Sequence, residues 1–174
     1  MKSLQTIQKT FQVFGTLSKI AMILSFVWAG LAAIGLLCVI VWQTGGNVVG
    51  IELEHLLELT ETTALTQMIG VLLADLIFAL TDGTLFAFAM RYFKAEQTDG
   101  TPFTTRGADQ IRNLGIKTIV MPLVAVVLGG IMYSIFDVTV KTDWSNGGSI
   151  IIGIVLILAS LVFRYGAELE EPKL

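Results

Sequence analysis

The stretch MIGVLLADLIFALTDGTLFAFAMRYF, residues 68–93, decides the fold. It is long enough to cross a bilayer, because about 20 apolar residues in a helix cover the ~30 Å hydrocarbon core. It also carries Asp75 and Asp82, and a charge near the bilayer centre costs about 2.5–3.5 kcal/mol on insertion scales. A span that holds two such residues is expected to turn them toward other helices or a polar cavity. They stand seven residues apart, two helical turns, so they share nearly one face.

The whole composition agrees with a membrane span. Of 174 residues, 54% are hydrophobic and only 14% charged, against roughly 25% charged in soluble domains. The chain therefore reads as one all-α transmembrane domain over residues 1–174, an integral membrane four-helix bundle. Spans are expected over residues 20–42, 68–90, 114–136 and 149–165. The first is too long for a signal-peptide core and is expected to persist in the mature protein. Ala29, Gly30 and Ala33 in the first span, and Ala125, Gly129 and Gly130 in the third, offer small faces for close helix packing. Pro122 lies inside the third span and is expected to kink it.

Short helices at the membrane surface are expected in three places. Leu4, Ile7, Phe11, Phe14 and Leu17 recur every three or four residues, forming an apolar stripe. That segment reads equally as an interfacial helix or as an extension of the first span. The first outer loop opens with Thr44-Gly45-Gly46-Asn47, and its acidic remainder suggests a second amphipathic helix. In the inner connection, Asp99-Gly100-Thr101-Pro102 is a turn, Thr104 or Thr105 suits an N-cap, and a short helix is expected from Arg106 through Arg112. Of the eleven Lys and Arg residues, ten fall on one side of this topology and only Lys141 on the other. The positive-inside rule then puts both termini in the cytoplasm of a multi-pass protein.

Few residues outside the spans suggest chemistry. His55 and Glu58 could be drawn as a divalent-cation site, but with one histidine in the chain a solvated acidic face is the commoner explanation. Cys38 reads as a small buried hydrophobe. No nucleophile elbow, phosphate-binding loop or dinucleotide fingerprint occurs, so neither an enzyme nor a bound cofactor is expected. A net charge of −3 without a long basic run gives no support to direct nucleic-acid binding.

Two inner-side motifs carry a resemblance. Pro102-Phe103-Thr104 leading into Ile111-Arg112-Asn113-Leu114-Gly115-Ile116, and the closing Leu161-Val162-Phe163-Arg164-Tyr165-Gly166-Ala167-Glu168-Leu169-Glu170-Glu171, resemble a family of small four-span bacterial membrane proteins of unknown function. The likeness in layout covers nearly the whole chain, and the motifs about a sixth of it. The resemblance implies a bacterial cytoplasmic membrane and, because such proteins are often encoded beside a small helix-turn-helix regulator, a cytoplasmic regulator as partner. The chain departs from the family pattern in its tail, which stops at Glu171-Pro172-Lys173-Leu174, and in the aspartates of its second span.

Two functional expectations follow. The leading one is a non-enzymatic regulator or partner subunit that acts on a cytoplasmic protein through Arg91, Lys94, Arg106, Arg112 and Lys117. The alternative is a small proton- or cation-coupled transporter, channel or accessory subunit built on Asp75 and Asp82, with Thr81, Thr84 and Ser134 as hydroxyl partners. A carrier of this size would form a homo-oligomer or serve a larger membrane complex. The plainer reading of the two aspartates is helix-to-helix hydrogen bonding, worth about 0.6 kcal/mol per bond.

Overall fold

A computed structural model describes residues 2–43, 65–99, 104–138 and 147–170. These form four helices, α1 Lys2–Gln43, α2 Leu65–Asp99, α3 Thr105–Ile135 and α4 Gly147–Glu170, with no strand among the described residues. Each contains a segment long and apolar enough to cross a membrane, and each expected span lies within such a segment apart from Trp42 and Phe136 at two span ends. This is the architecture of a multi-pass membrane protein.

The helices are longer than the spans for identifiable reasons. No proline interrupts residues 2–43, so the N-terminal apolar stripe continues into the first span as α1, and no separate interfacial helix forms there. The short inner helix is likewise the opening of α3. Its N-cap is Thr104, whose extended backbone (φ −119°, ψ 147°) lets the side-chain oxygen accept from the Gly107 amide at 2.9 Å. Helix α3 runs on through Pro122. It closes at Phe136, followed by Asp137 in the left-handed region (φ 52°). The Val138 amide then donates to the Tyr133 carbonyl at 2.9 Å, the return bond of a Schellman-type end. The expected helix of the first outer loop, with His55 and Glu58, lies outside the described residues.

Successive helices pack antiparallel. Along α1 and α2, Gly15 lies against Phe93 and Gln97, Gly83 against Phe26, and Gly35 against Leu72. Phe93 also receives the rings of Phe11 and Phe14, with centroids 6.2 and 5.7 Å away. Between α2 and α3, Gly129 takes the Phe78 ring, Gly70 meets Phe136 and Val138, and Gln67 Nε2 donates to the Asp137 carbonyl at 2.9 Å. Helices α3 and α4 cross where Gly115 and Gly153 face each other. Gly30 and Gly130, expected in packed faces, open onto empty space instead. The helix contacts there are made by Ala29, Ala32, Ala125 and Gly129, all buried.

Among the described residues, close backbone approaches join only chain neighbours: α1 to α2, α2 to α3, and α3 to α4. Among the described residues the helices form an open row and not the closed bundle that four spans suggest. The reason is physical. Lipid tails are as apolar as leucine, so apolar outer faces such as Leu24, Leu31 and Ile34 of α1 gain little by closing onto α4. A core cluster of Tyr92, Ile111 and Leu114, flanked by Phe93 and Phe163, ties α2, α3 and α4 together at the end that carries the start of α1 and the end of α4.

Candidate functional site

The two aspartates are placed by the packing of α2. Its small residues Ala79 and Gly83 meet α1, with a methyl built on Gly83 falling 3.1 Å from the Phe26 ring. Asp75 and Asp82 flank that ridge. Both line a groove of about 370 Å³ shared with Leu24, Ser25 and Trp28 of α1. They are less enclosed than the sequence suggests, Asp75 being half-buried and Asp82 exposed in the isolated chain. The ridge occupies the contact with α1, which leaves the carboxylates at its edge.

Asp82 faces a second space as well. A cavity of about 700 Å³ lies between α2, α3 and α4, and Asp82 and Thr81 share its walls with Phe78, Phe86, Phe93, Thr118, Pro122 and Ser149. Asp82 thus stands where the groove and the cavity meet. Asp75 lines only the groove, and Tyr133 of α3 lies within electrostatic range of it.

The hydroxyls have a defined polarity. Thr81 donates to the Ile77 carbonyl at 2.8 Å, Thr118 to the Leu114 carbonyl at 2.8 Å, and Ser25 to the Ala21 carbonyl at 3.0 Å. With their hydrogens engaged by backbone four residues earlier, these oxygens present lone pairs only. Thr84 also turns back, to the Leu80 carbonyl at 2.7 Å, and lines neither space. Ser134 is exposed on α3 and likewise lines neither. Thr118, Ser149, Tyr133 and the Phe78 and Phe86 rings were not singled out from the sequence. Thr118 shares the helical spacing of Leu114, Pro122 and Ala125, which is a usable signal. Ser149 enters only through the register of α4 on α3, which no local pattern encodes.

The five cations expected to meet a partner separate into two groups. Arg91 and Lys117 line one cleft of about 220 Å³ between the end of α2 and the start of α3, with Gln110 and Asn113. Lys94, Arg106 and Arg112 are exposed outside it. No three His, Cys, Asp or Glu side chains converge as metal ligands among the described residues. Comparison with protein-family models, curated proteins and solved structures finds no match.

Proposed function

We propose that the chain is a non-enzymatic protein of a bacterial cytoplasmic membrane, both termini inside, that binds an organic cation between its helices at Asp82. It would work as a small transporter, channel or accessory subunit. The observation that carries this reading is the place of Asp82 on the walls of both the groove and the cavity. Among the described residues, no Lys or Arg lines either space. The Thr81 and Thr118 hydroxyls there already donate to backbone carbonyls and have only lone pairs to offer a ligand. The complement of such a wall is a positive charge. Phe78 and Phe86 line the cavity as well, and an aromatic ring that turns its face to a cation contributes about 0.5–2 kcal/mol. The volume falls within the roughly 300–1,000 Å³ typical of small-molecule sites.

Equilibrium dialysis of the full chain in mild detergent with tetraphenylphosphonium tests this. Saturable binding is expected, with neutral triphenylphosphine oxide binding at least about tenfold more weakly, a difference of about 1.4 kcal/mol. Asp82→Asn should lose about tenfold or more in affinity, and Asp75→Asn less, because Asp75 lines only the groove. Equal binding by wild type and Asp82→Asn in samples of unchanged helix content would reject the assignment. Uptake of the cation into proteoliposomes then separates transport from binding alone.

A second reading, action on a cytoplasmic partner such as a helix-turn-helix regulator, is favoured by one observation. Lys94, Arg106 and Arg112 stand exposed on helices that the Phe11, Phe14 and Phe93 rings and the Tyr92 cluster hold together. Arg106→Glu with Arg112→Glu should then weaken capture of a soluble regulator by the full chain without changing cation binding.

A further inference from the structure

We infer that the cleft between the end of α2 and the start of α3 is a binding site for a phosphate group, supplied by an anionic phospholipid headgroup, with Arg91, Lys117, Gln110 and Asn113 as its recognition set. The inference is independent of the Asp82 reading, since the two sites share only Leu114 of their walls.

The chemistry of the cleft is the reverse of the cavity's. Its lining is Phe88, Arg91, Tyr92, Ala95 from α2 and Gln110, Asn113, Leu114, Lys117 from α3. Two cations and two amides line one space, and among the described residues no carboxylate is on its walls. Arg91 brings a planar fork of donors that matches two phosphate oxygens at once. Lys117 is held in place, its Nζ 3.5 Å from the centroid of the Phe88 ring. A cation–π contact positions the ammonium and leaves N–H donors on the side away from the ring for a phosphate. The amides of Gln110 and Asn113 each add two N–H donors for the remaining oxygens.

Position and size select the source of the phosphate. The cleft lies where α2 passes from its apolar run, ending at Met90, into the charged sequence Arg91-Tyr92-Phe93-Lys94. Phe88 and Leu114 form its apolar side, continuous with the core cluster of Tyr92, Ile111 and Leu114. A site with donors on one side and apolar side chains on the other matches a lipid at the headgroup level. Basic pockets between transmembrane helices on the cytoplasmic side are suited to such headgroups. At about 220 Å³ the space is smaller than the roughly 300–1,000 Å³ that encloses a whole drug-sized molecule. It therefore takes the headgroup and leaves the acyl chains against the outer surface of α2 and α3.

The test is native mass spectrometry of the full chain titrated in detergent with short-chain phosphatidylglycerol, short-chain phosphatidylcholine and inorganic phosphate. Phosphatidylglycerol is expected to bind most tightly. Juxtamembrane cations contribute about 1 kcal/mol each toward anionic lipid, so Arg91→Gln and Lys117→Gln should each weaken it about fivefold. Arg91→Lys should lose less than Arg91→Gln, because it keeps the charge and loses the fork. Arg164→Gln, outside the cleft and paired with Glu168 at 3.6 Å, should leave binding unchanged. Circular dichroism confirms that the variants keep their helix content. Competition by inorganic phosphate, with the same loss in the Arg91 and Lys117 variants, would keep the phosphate site and extend its source to free phosphate. Equal binding of the two lipids, or full phosphatidylglycerol binding in the Arg91→Gln Lys117→Gln double variant, would overturn the inference.

Discussion

Gly153 and Gly115 show how one missing methyl sets a helix contact. A methyl built on Gly115 would lie 2.9 Å from the Gly153 carbonyl oxygen, and one built on Gly153 would lie 2.9 Å from the Gly115 carbonyl and closer still to the Ile119 side chain. Backbone cannot retreat as a flexible side chain can. Gly153→Val should therefore cost about 1–3 kcal/mol as an overpacking substitution. Gly130→Val, with nothing within 4 Å, should cost far less. Denaturant unfolding in mixed micelles compares the two, and equal stabilities would refute this account of the crossing. Small residues in an apolar run look alike from the sequence, which is why Gly30 and Gly130 read as packing positions and Gly153 was passed over. Thr104 was legible for the opposite reason. A cap depends on the few residues around it, and the turn before Arg106 already pointed to Thr104 or its neighbour.

At the scale of the helix, the apolar runs were the most legible feature, because membrane thickness fixes their length. All four expected spans fall within described helices except Phe136, the C-cap of α3. Their extensions were harder to place. A polar flank beyond a span reads equally as a surface helix or as more of the same helix, and the choice depends on packing elsewhere. Here Phe11 and Phe14 rest on Phe93, so α1 and α2 continue side by side beyond their apolar parts. The continuation of α2 past Met90, beside the start of α3, puts Arg91 and Lys117 on one cleft. The sequence named all five cations of that region. It could not separate the two that converge from the three that do not, because that depends on the register between α2 and α3.

For the molecule as a whole, the open row determines how its cavity is reached. Among the described residues, helix α4 makes close backbone approaches only to α3, and no described helix closes the cavity between α2 and α4. A lipophilic cation dissolved in the bilayer would enter sideways, without crossing a gate of charged residues. A closed bundle would instead require entry along the helix axes, so the two arrangements differ in function as well as shape. Disulfide trapping distinguishes them in a Cys38→Ser background. Ala74→Cys with Gly129→Cys is the positive control, since a methyl at Gly129 would stand 3.8 Å from the Ala74 Cβ, close to the mean of about 3.8 Å for disulfide Cβ atoms. That pair should oxidise within one monomer. Leu24→Cys, Trp28→Cys or Leu31→Cys on α1, each combined with Ile151→Cys or Ile154→Cys on α4, should give no cross-link within a monomer, and any disulfide they form should run as a dimer. An α1–α4 cross-link inside a single chain would mean that the bundle closes, and lateral entry to the Asp82 cavity would fall with the open row.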